Sequence, residues 1–338
     1  MTPNRLVPAV LLATAALAGP AVAAEVNVYT SREPALIKPV LDAFSKETGV
    51  KVNAVFLTNG LEERVKAEGQ NSPADVIVLV DVAKLSGAVE MGITQPITDP
   101  AISANVPATL RDPGGHWFAT TLRSRVVYAS KERVRQDTIT YEELADPKWK
   151  GKVCIRSGQH PYNVSLFSAA VARMGAEKAA EWVKGVKANL AKRPSGGDRD
   201  VAKDILAGVC DIGVGNTYYV GLMRNGSNAS EKHWGEAIKV LDSRFAGAGT
   251  HVNISGAAVA KFAPNKDAAV KLVAFMTSDA GQRILADLNY EYPIRKGVGG
   301  AATEKVAGPI NADTLALADV AKNRKAASEM VDQMGFDN

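Results

Sequence analysis

Two cysteines are all that this chain of 338 residues contains, and the catalytic motifs most easily read from a sequence are missing altogether. There is no Gly-x-Ser-x-Gly elbow, no phosphate-cradling P-loop and no His-Glu-x-x-His helix, so hydrolase and nucleotide chemistry lack their parts and no enzyme is expected. No long run of one charge sign occurs, and a formal net charge of +4 spread among acidic and basic residues is too mild to hold nucleic acid or a membrane surface. Low-complexity tracts and internal repeats are absent as well, leaving an ordinary globular composition. Without a Cys-x-x-Cys or a nearby histidine spacing, the two cysteines make a poor zinc site.

What is present begins at the amino terminus. Arg5 precedes an apolar run from Leu6 through Val10 to Leu17, followed by the small residues Ala21, Ala23 and Ala24. This is the pattern of a secretory signal peptide over residues 1–24, cleaved after Ala23 or Ala24. Pro8 and Gly19 interrupt the run, which is too short to span a bilayer comfortably, and no cysteine at the junction marks a lipid anchor. The expected address is the periplasm. Of 338 residues, removal of 24 leaves 314 and, with Arg5 gone, a charge of +3; that length suggests two domains. In an oxidising compartment Cys154 and Cys210 are expected to pair, closing a loop of 56 residues (210 less 154) and stabilising the fold by roughly 4 kcal/mol in the chain-entropy model.

Periodicity supplies the elements. Val26–Tyr29 reads as a strand; Pro34 opens a helix with Leu36, Ile37, Val40, Leu41 and Phe44 on one face, ended by Gly49. Lys51–Phe56 is a second strand, Asn59 is placed to cap a helix to Gly69, and Val76–Val80 is an apolar strand buried on both faces. A helix over Asp81–Glu90 completes an α/β lobe with a largely parallel sheet. Trp117–Ala129 reads as one long crossing strand, and Thr140 with Glu143 forms a capping box. A second set follows: strands at Lys152–Ile155 and Asp211–Gly215, helices at Ser165–Arg173, Ala176–Leu190 and Asp200–Ala207, a returning strand at His251–Val259, helices at Asn265–Thr277 and Ala280–Leu288, and a helical tail from Ala312 to Gln333. The expected fold is α/β: two lobes joined by hinge strands with a ligand cleft between them, residues 25–123 and 247–297 forming one lobe and 124–246 and 298–338 the other.

Ligands of such sheets sit at loops after the carboxyl ends of strands. Three of these loops are rich in unusual polar groups: Tyr29 to Pro34, Arg156 to Asn163, and Asn216 to Tyr219. Three tyrosines, Tyr162, Tyr218 and Tyr219, fall in one lobe on segments after the two strands that the disulfide would tie. A phenol titrates near pH 10, but a hard, highly charged cation displaces its proton, and three phenolates neutralise Fe(III). About three coordination positions would remain for an anion or water. Arg32, Arg123 and Arg125 are the cationic candidates to grip such an anion, the last two alternating on a strand and so sharing a face. Tyr29, Tyr128, Tyr141, Tyr290 and Tyr292 have strand or loop settings that suit packing, and a tyrosine pair at a helix start is by itself most often packing too. A binder of the same fold taking a small anion or polyamine without metal is the alternative reading.

The chain also resembles the periplasmic ferric-iron-binding proteins of bacterial iron ABC importers, the bacterial-transferrin type, over almost the whole mature length. The resemblance is carried by Val28 to Ile37, Asn71 to Val76, Leu110 to Pro113 leading into Trp117-Phe118, Leu144 to Lys152, Tyr162 to Leu166, and Asn216 to Tyr219. It implies a periplasmic binding protein type II-like fold, Fe(III) held by Tyr162, Tyr218 and Tyr219, and a monomer working with a membrane permease and its ATPase. Many members carry a His-Tyr ligand after the first loop's arginine, whereas this chain has Glu33-Pro34. The departure matches the subgroup relying on three tyrosines of one lobe plus a synergistic anion such as carbonate or bicarbonate, with Arg32 and Arg123 to Arg125 as its clamp. Glu33 and His160 stand close enough in sequence to contribute.

Overall fold

The structure, a computed structural model, describes residues 24–295 and 297–338. The signal-peptide reading falls on residues outside these, apart from Ala24. No helix among the described residues is long and apolar enough to cross a membrane.

The described residues form ten strands: β1 (Glu25–Thr30), β2 (Lys51–Phe56), β3 (Val76–Leu79), β4 (Thr94–Gln95), β5 (Trp117–Ser130), β6 (Thr138–Thr140), β7 (Val153–Cys154), β8 (Ile212–Asn216), β9 (Ile238–Arg244) and β10 (Val252–Ala260). They run in the order β2-β1-β3-β10-β5-β8-β7, with β4 beside β10, β9 beside β5 and β6 beside β9. β1 is parallel to β2 and β3, and β10 is antiparallel to both β3 and β5.

The long strand β5 gives the molecule its two halves. Its first part, Trp117–Ser124, pairs with β10, while Arg125–Ala129 pairs with β8, so the change of partner falls between two adjacent residues. One apolar cluster packs around β1, β3, β10 and the helices Pro34–Thr48 and Lys266–Thr277; a second packs around β8 and the helices Pro161–Met174 and Ala176–Ala188. β5 and β10 join these lobes. The crossing strand expected from the sequence is therefore present, and the cleft opens beside it.

Local chemistry explains most elements. Pro34 supplies the first turn of its helix, the five expected apolar side chains are buried, and Gly49 closes it at φ +71°, a left-handed position that suits glycine. Each buried aliphatic or aromatic side chain contributes on the order of 2 kcal/mol before chain entropy is counted. Asp81 caps the helix Val82–Glu90 by accepting from Ala83 N–H. The capping box holds too: Glu143 Oε1 accepts from Thr140 N–H at 3.0 Å and Thr140 Oγ1 from Glu143 N–H at 3.3 Å.

Asn59 does not cap the next helix. Gly60 takes that position at φ +72° with no side-chain cap, and the helix runs Leu61–Glu68. The tail is broken rather than continuous, into helices Leu317–Lys322 and Arg324–Gln333. Leu317 belongs to the apolar cluster of the first lobe and Val320 to that of the second, so the tail spans both.

Candidate functional site

Between the lobes lies a cleft of about 850 Å³, lined by Arg32, Glu33, Arg123, Arg156, His160, Tyr162, Tyr218, Tyr219 and Glu291 among others. Its second-lobe wall is built from two helix starts. Pro161 begins the helix Pro161–Met174 four residues before the expected Ser165, so Tyr162 stands in a first helical turn and not in a loop. His160 is the N-cap, its Nδ1 accepting from Tyr162 N–H at 3.3 Å. Tyr218 and Tyr219 are the second and third residues of the helix Thr217–Asn225, into which β8 leads directly. The Cys154–Cys210 disulfide is formed and ties β7 to the entry of β8, the two strands that feed these helix starts.

The three phenols converge. Tyr162 Oη lies 3.1 Å from Tyr218 Oη, and the Tyr218 and Tyr219 rings are 4.2 Å apart between centroids. Burial holds the Tyr218 phenol well above its ordinary value near 10, reinforced by Tyr162 and Tyr219 and opposed by the Arg123 charge. Tyr219 is likewise raised, chiefly by burial. Both phenols are therefore protonated at neutral pH. Burial, and then the Arg156 charge, pushes His160 down to about 3, so its imidazole is neutral.

The arginines divide into free and occupied groups. Arg123 is buried and donates one bond, Nη1 to Ser255 Oγ at 3.1 Å, while its Nη2 has no partner among the described residues. Its guanidinium lies 5.2 Å from the centre of the Tyr162 ring. Arg156 lies 5.4 Å from the same ring centre, its Nε also without a partner and its Nη1 a loose 3.5 Å from Asp198. Arg32 lines the cleft, but its Nη1 donates to Ser255 Oγ at 2.6 Å and its Nη2 to Glu291, so a carboxylate already offsets its charge.

Arg125, expected beside Arg123 at the anion clamp, directs its hydrogen bonds to protein groups. Its side chain shares a face with Arg123, as strand alternation requires, with both guanidinium groups near Tyr162. All of its donating edge is nonetheless taken: Nη1 by Asp198 at 2.6 Å and Asn216 Oδ1 at 3.1 Å, Nη2 and Nε by Asn163 Oδ1 at 2.6 and 3.1 Å. Asn163 follows Tyr162 and Asn216 lies two residues before Tyr218. Arg125 is thus a tie between the two tyrosine-bearing segments.

The tyrosines set aside from the sequence behave as packing residues. Tyr128 donates to Asn216 O, Tyr141 to Arg125 O at 2.5 Å and Tyr292 to Gly308 O at 2.9 Å. Glu33 lines the cleft at the start of its helix without making a cap bond. Sequence reasoning missed Arg156 as a cleft cation, although it lies in one of the polar loops, and missed Glu291, which meets Arg32 from 259 residues away with no local signal. Among the described residues no cluster of three His, Cys, Asp or Glu side chains is arranged to hold a metal.

Known proteins share this architecture. The model of the bacterial extracellular solute-binding proteins matches residues 29–283. Iron uptake protein A1 of Synechocystis sp. is 40% identical over 314 residues, spanning 92% of this chain and 87% of that protein. The solved Bordetella ferric binding protein is 54% identical with a TM-score of 0.86, covering 93% of this chain and all, 100%, of that one. A Trichodesmium protein solved in complex with iron and citrate ligands is 37% identical with a TM-score of 0.86, covering 92% and 99%. These neighbours share the periplasmic binding protein type II fold. The chain belongs to the bacterial extracellular solute-binding protein family.

Proposed function

We propose that this protein captures ferric iron outside the cytoplasmic membrane, binding it through Tyr162, Tyr218 and Tyr219, and delivers it to an ABC importer. The observation that carries the reading is the meeting of three phenols on two helix starts, with Tyr162 Oη and Tyr218 Oη only 3.1 Å apart. A trivalent ion releases their protons and takes three phenolates, so charge cancels in a site where burial disfavours the Tyr218 and Tyr219 phenolates.

Three phenolates leave about half of an octahedral shell to other donors. The unpartnered edges of Arg123 and Arg156 flank the Tyr162 ring and suit a small anion that bridges them to the metal, carbonate or a carboxylate. Arg32, offset by Glu291, supports the cleft wall and is not assigned to the anion. The cleft has far more room than one ion needs, which accommodates a chelating anion and water. Lobes of residues 25–123 with 247–297 and 124–246 with 298–338 would close over the site by bending at β5 and β10. The protein is read as a periplasmic monomer that binds and releases without catalysis, its partners a membrane permease and a cytoplasmic ATPase.

The test is a visible spectrum of the mature protein, stripped with chelator and titrated with ferric citrate in bicarbonate buffer, beside the double variant Tyr218→Phe, Tyr219→Phe. A broad phenolate-to-iron band saturating near one iron per chain, and absent in the variant, supports the reading. Absence of any band in either protein sinks it in favour of a metal-free anion binder.

A further inference from the structure

The turn Ser157-Gly158-Gln159 carries the chain from β7 to His160 and so sets where the Tyr162 helix begins. Asp337, one residue from the carboxyl terminus, lies against this turn. Its carboxylate accepts from Ser157 Oγ at 2.6 Å, Gly158 N–H at 2.7 Å and Gln159 N–H at 3.4 Å. One anionic group is thereby held by three donors of a turn 178 to 180 residues away in sequence.

Neighbouring contacts hold both partners in place. The Asp337 carbonyl accepts from Arg193 Nε at 2.6 Å. Phe336 is fully buried against Gly158, where an added Cβ would meet its ring at 2.7 Å, so only glycine allows this approach. Gln159 Nε2 donates to Ser328 O at 2.8 Å and to Asp332 at 2.7 Å, both on the helix Arg324–Gln333. On the far side of the turn, Asn163 Nδ2 donates to Arg156 O and Ser157 O, each at 3.0 Å, and His160 N–H to Ser157 O at 3.1 Å. The turn is thus fixed to the tail on one side and to the Tyr162 helix on the other.

We propose that Asp337 is a positioning residue for the iron site: by holding the Ser157–Gln159 turn it aims Tyr162 toward Tyr218. This rests on the ferric reading above. Without the carboxylate, the turn's donors turn toward water, the first turn of the helix relaxes, and the Tyr162 phenolate no longer meets the metal at its fixed distance. A group hydrogen-bonded directly to a metal ligand typically changes affinity by about 10- to 100-fold when removed, and Asp337, acting through the turn, is placed at the tenfold end of that range.

The experiment compares ferric affinity, by competition with a chelator, in the full-length mature protein and in Asp337→Ala, each with and without Tyr162→Phe; the visible band and the melting temperature are recorded for all four. Asp337→Asn, which keeps the volume and one acceptor, replaces the alanine variant if that one does not fold. The expected result is at least a tenfold loss of affinity with a shifted band in the Tyr162 background, and less than a twofold further loss in the Tyr162→Phe background. Equal losses in the two backgrounds, or unchanged affinity with only a lower melting temperature, would overturn the role of Asp337 and leave the ferric reading standing. A wild-type protein that takes up no ferric iron would overturn both.

Discussion

Replacing Arg125 with Met removes the tie at the centre of the second lobe. Asp198, fully buried, would keep the Asn216 N–H at 2.9 Å and a loose Arg156 at 3.5 Å, but would lose the guanidinium at 2.6 Å that offsets its charge. Removing one member of a buried pair typically costs about 3–5 kcal/mol, and the remaining Arg156 contact places this case near the lower end, about 3 kcal/mol. Asn163 and Asn216 would also lose their common donor. Urea unfolding of the iron-free protein measures the cost. Adding Asp198→Asn to the same chain removes the uncompensated charge and should recover part of it. Because Arg125 is tied inward, the dependence of iron binding on bicarbonate should persist in Arg125→Met and be lost in Arg123→Met. Stability within about 0.5 kcal/mol of wild type, the range of an ordinary surface change, would refute the reasoning, as would a selective loss of bicarbonate dependence in Arg125→Met.

Three further outcomes are expected. Reduction of the Cys154–Cys210 bond, or its replacement by two serines, should lower stability by about 4 kcal/mol, read from the shift in urea midpoint. Tyr218 and Tyr219 are held protonated by burial, so metal must displace two protons there. With the third proton that the Tyr162 phenol gives up in the proposed site, ferric affinity, measured against a chelator of known pH dependence, should fall about a thousandfold for each pH unit of acidification near neutrality. His251, whose Nε2 meets Ser165 Oγ at 3.0 Å, is lowered by burial from 6.5 to about 3. The unfolded chain therefore binds a proton that the folded protein refuses between these values, and stability is lost as pH falls from 6.5 toward 3. Unfolding curves at pH 6 and 4.5 should show a slope shallower by about 1.4 kcal/mol per pH unit in His251→Gln than in wild type.

The fold was largely legible because its strands and helices carry strong local signals. Val76–Leu79 is apolar throughout, and Pro34 and Gly49 mark both ends of one helix. β9 was not legible: Lys239, Asp242 and Arg244 interrupt its apolar residues, and its strand character comes from pairing with β5. Asn59 misled as a cap because a neighbouring glycine in the left-handed region met the same geometric need. At the site, the tyrosines could be named from their places after β7 and β8, and the face shared by Arg123 and Arg125 from strand alternation. Alternation gives a direction and says nothing of what lies along it. Asp198 meets Arg125 across 73 residues and Glu291 meets Arg32 across 259, so which arginine is free and which is spent emerged only from the folded chain.

In the proposed site one ferric ion sits where Tyr162, Tyr218 and Tyr219 converge. Crystals of the iron-loaded protein, measured with X-rays on either side of the iron absorption edge, locate the metal without reference to colour or affinity. A single anomalous peak is expected within bonding distance of all three phenolate oxygens, with density for an anion between it and Arg123 and Arg156. A peak bound elsewhere, or contacting none of the three tyrosines, would contradict it.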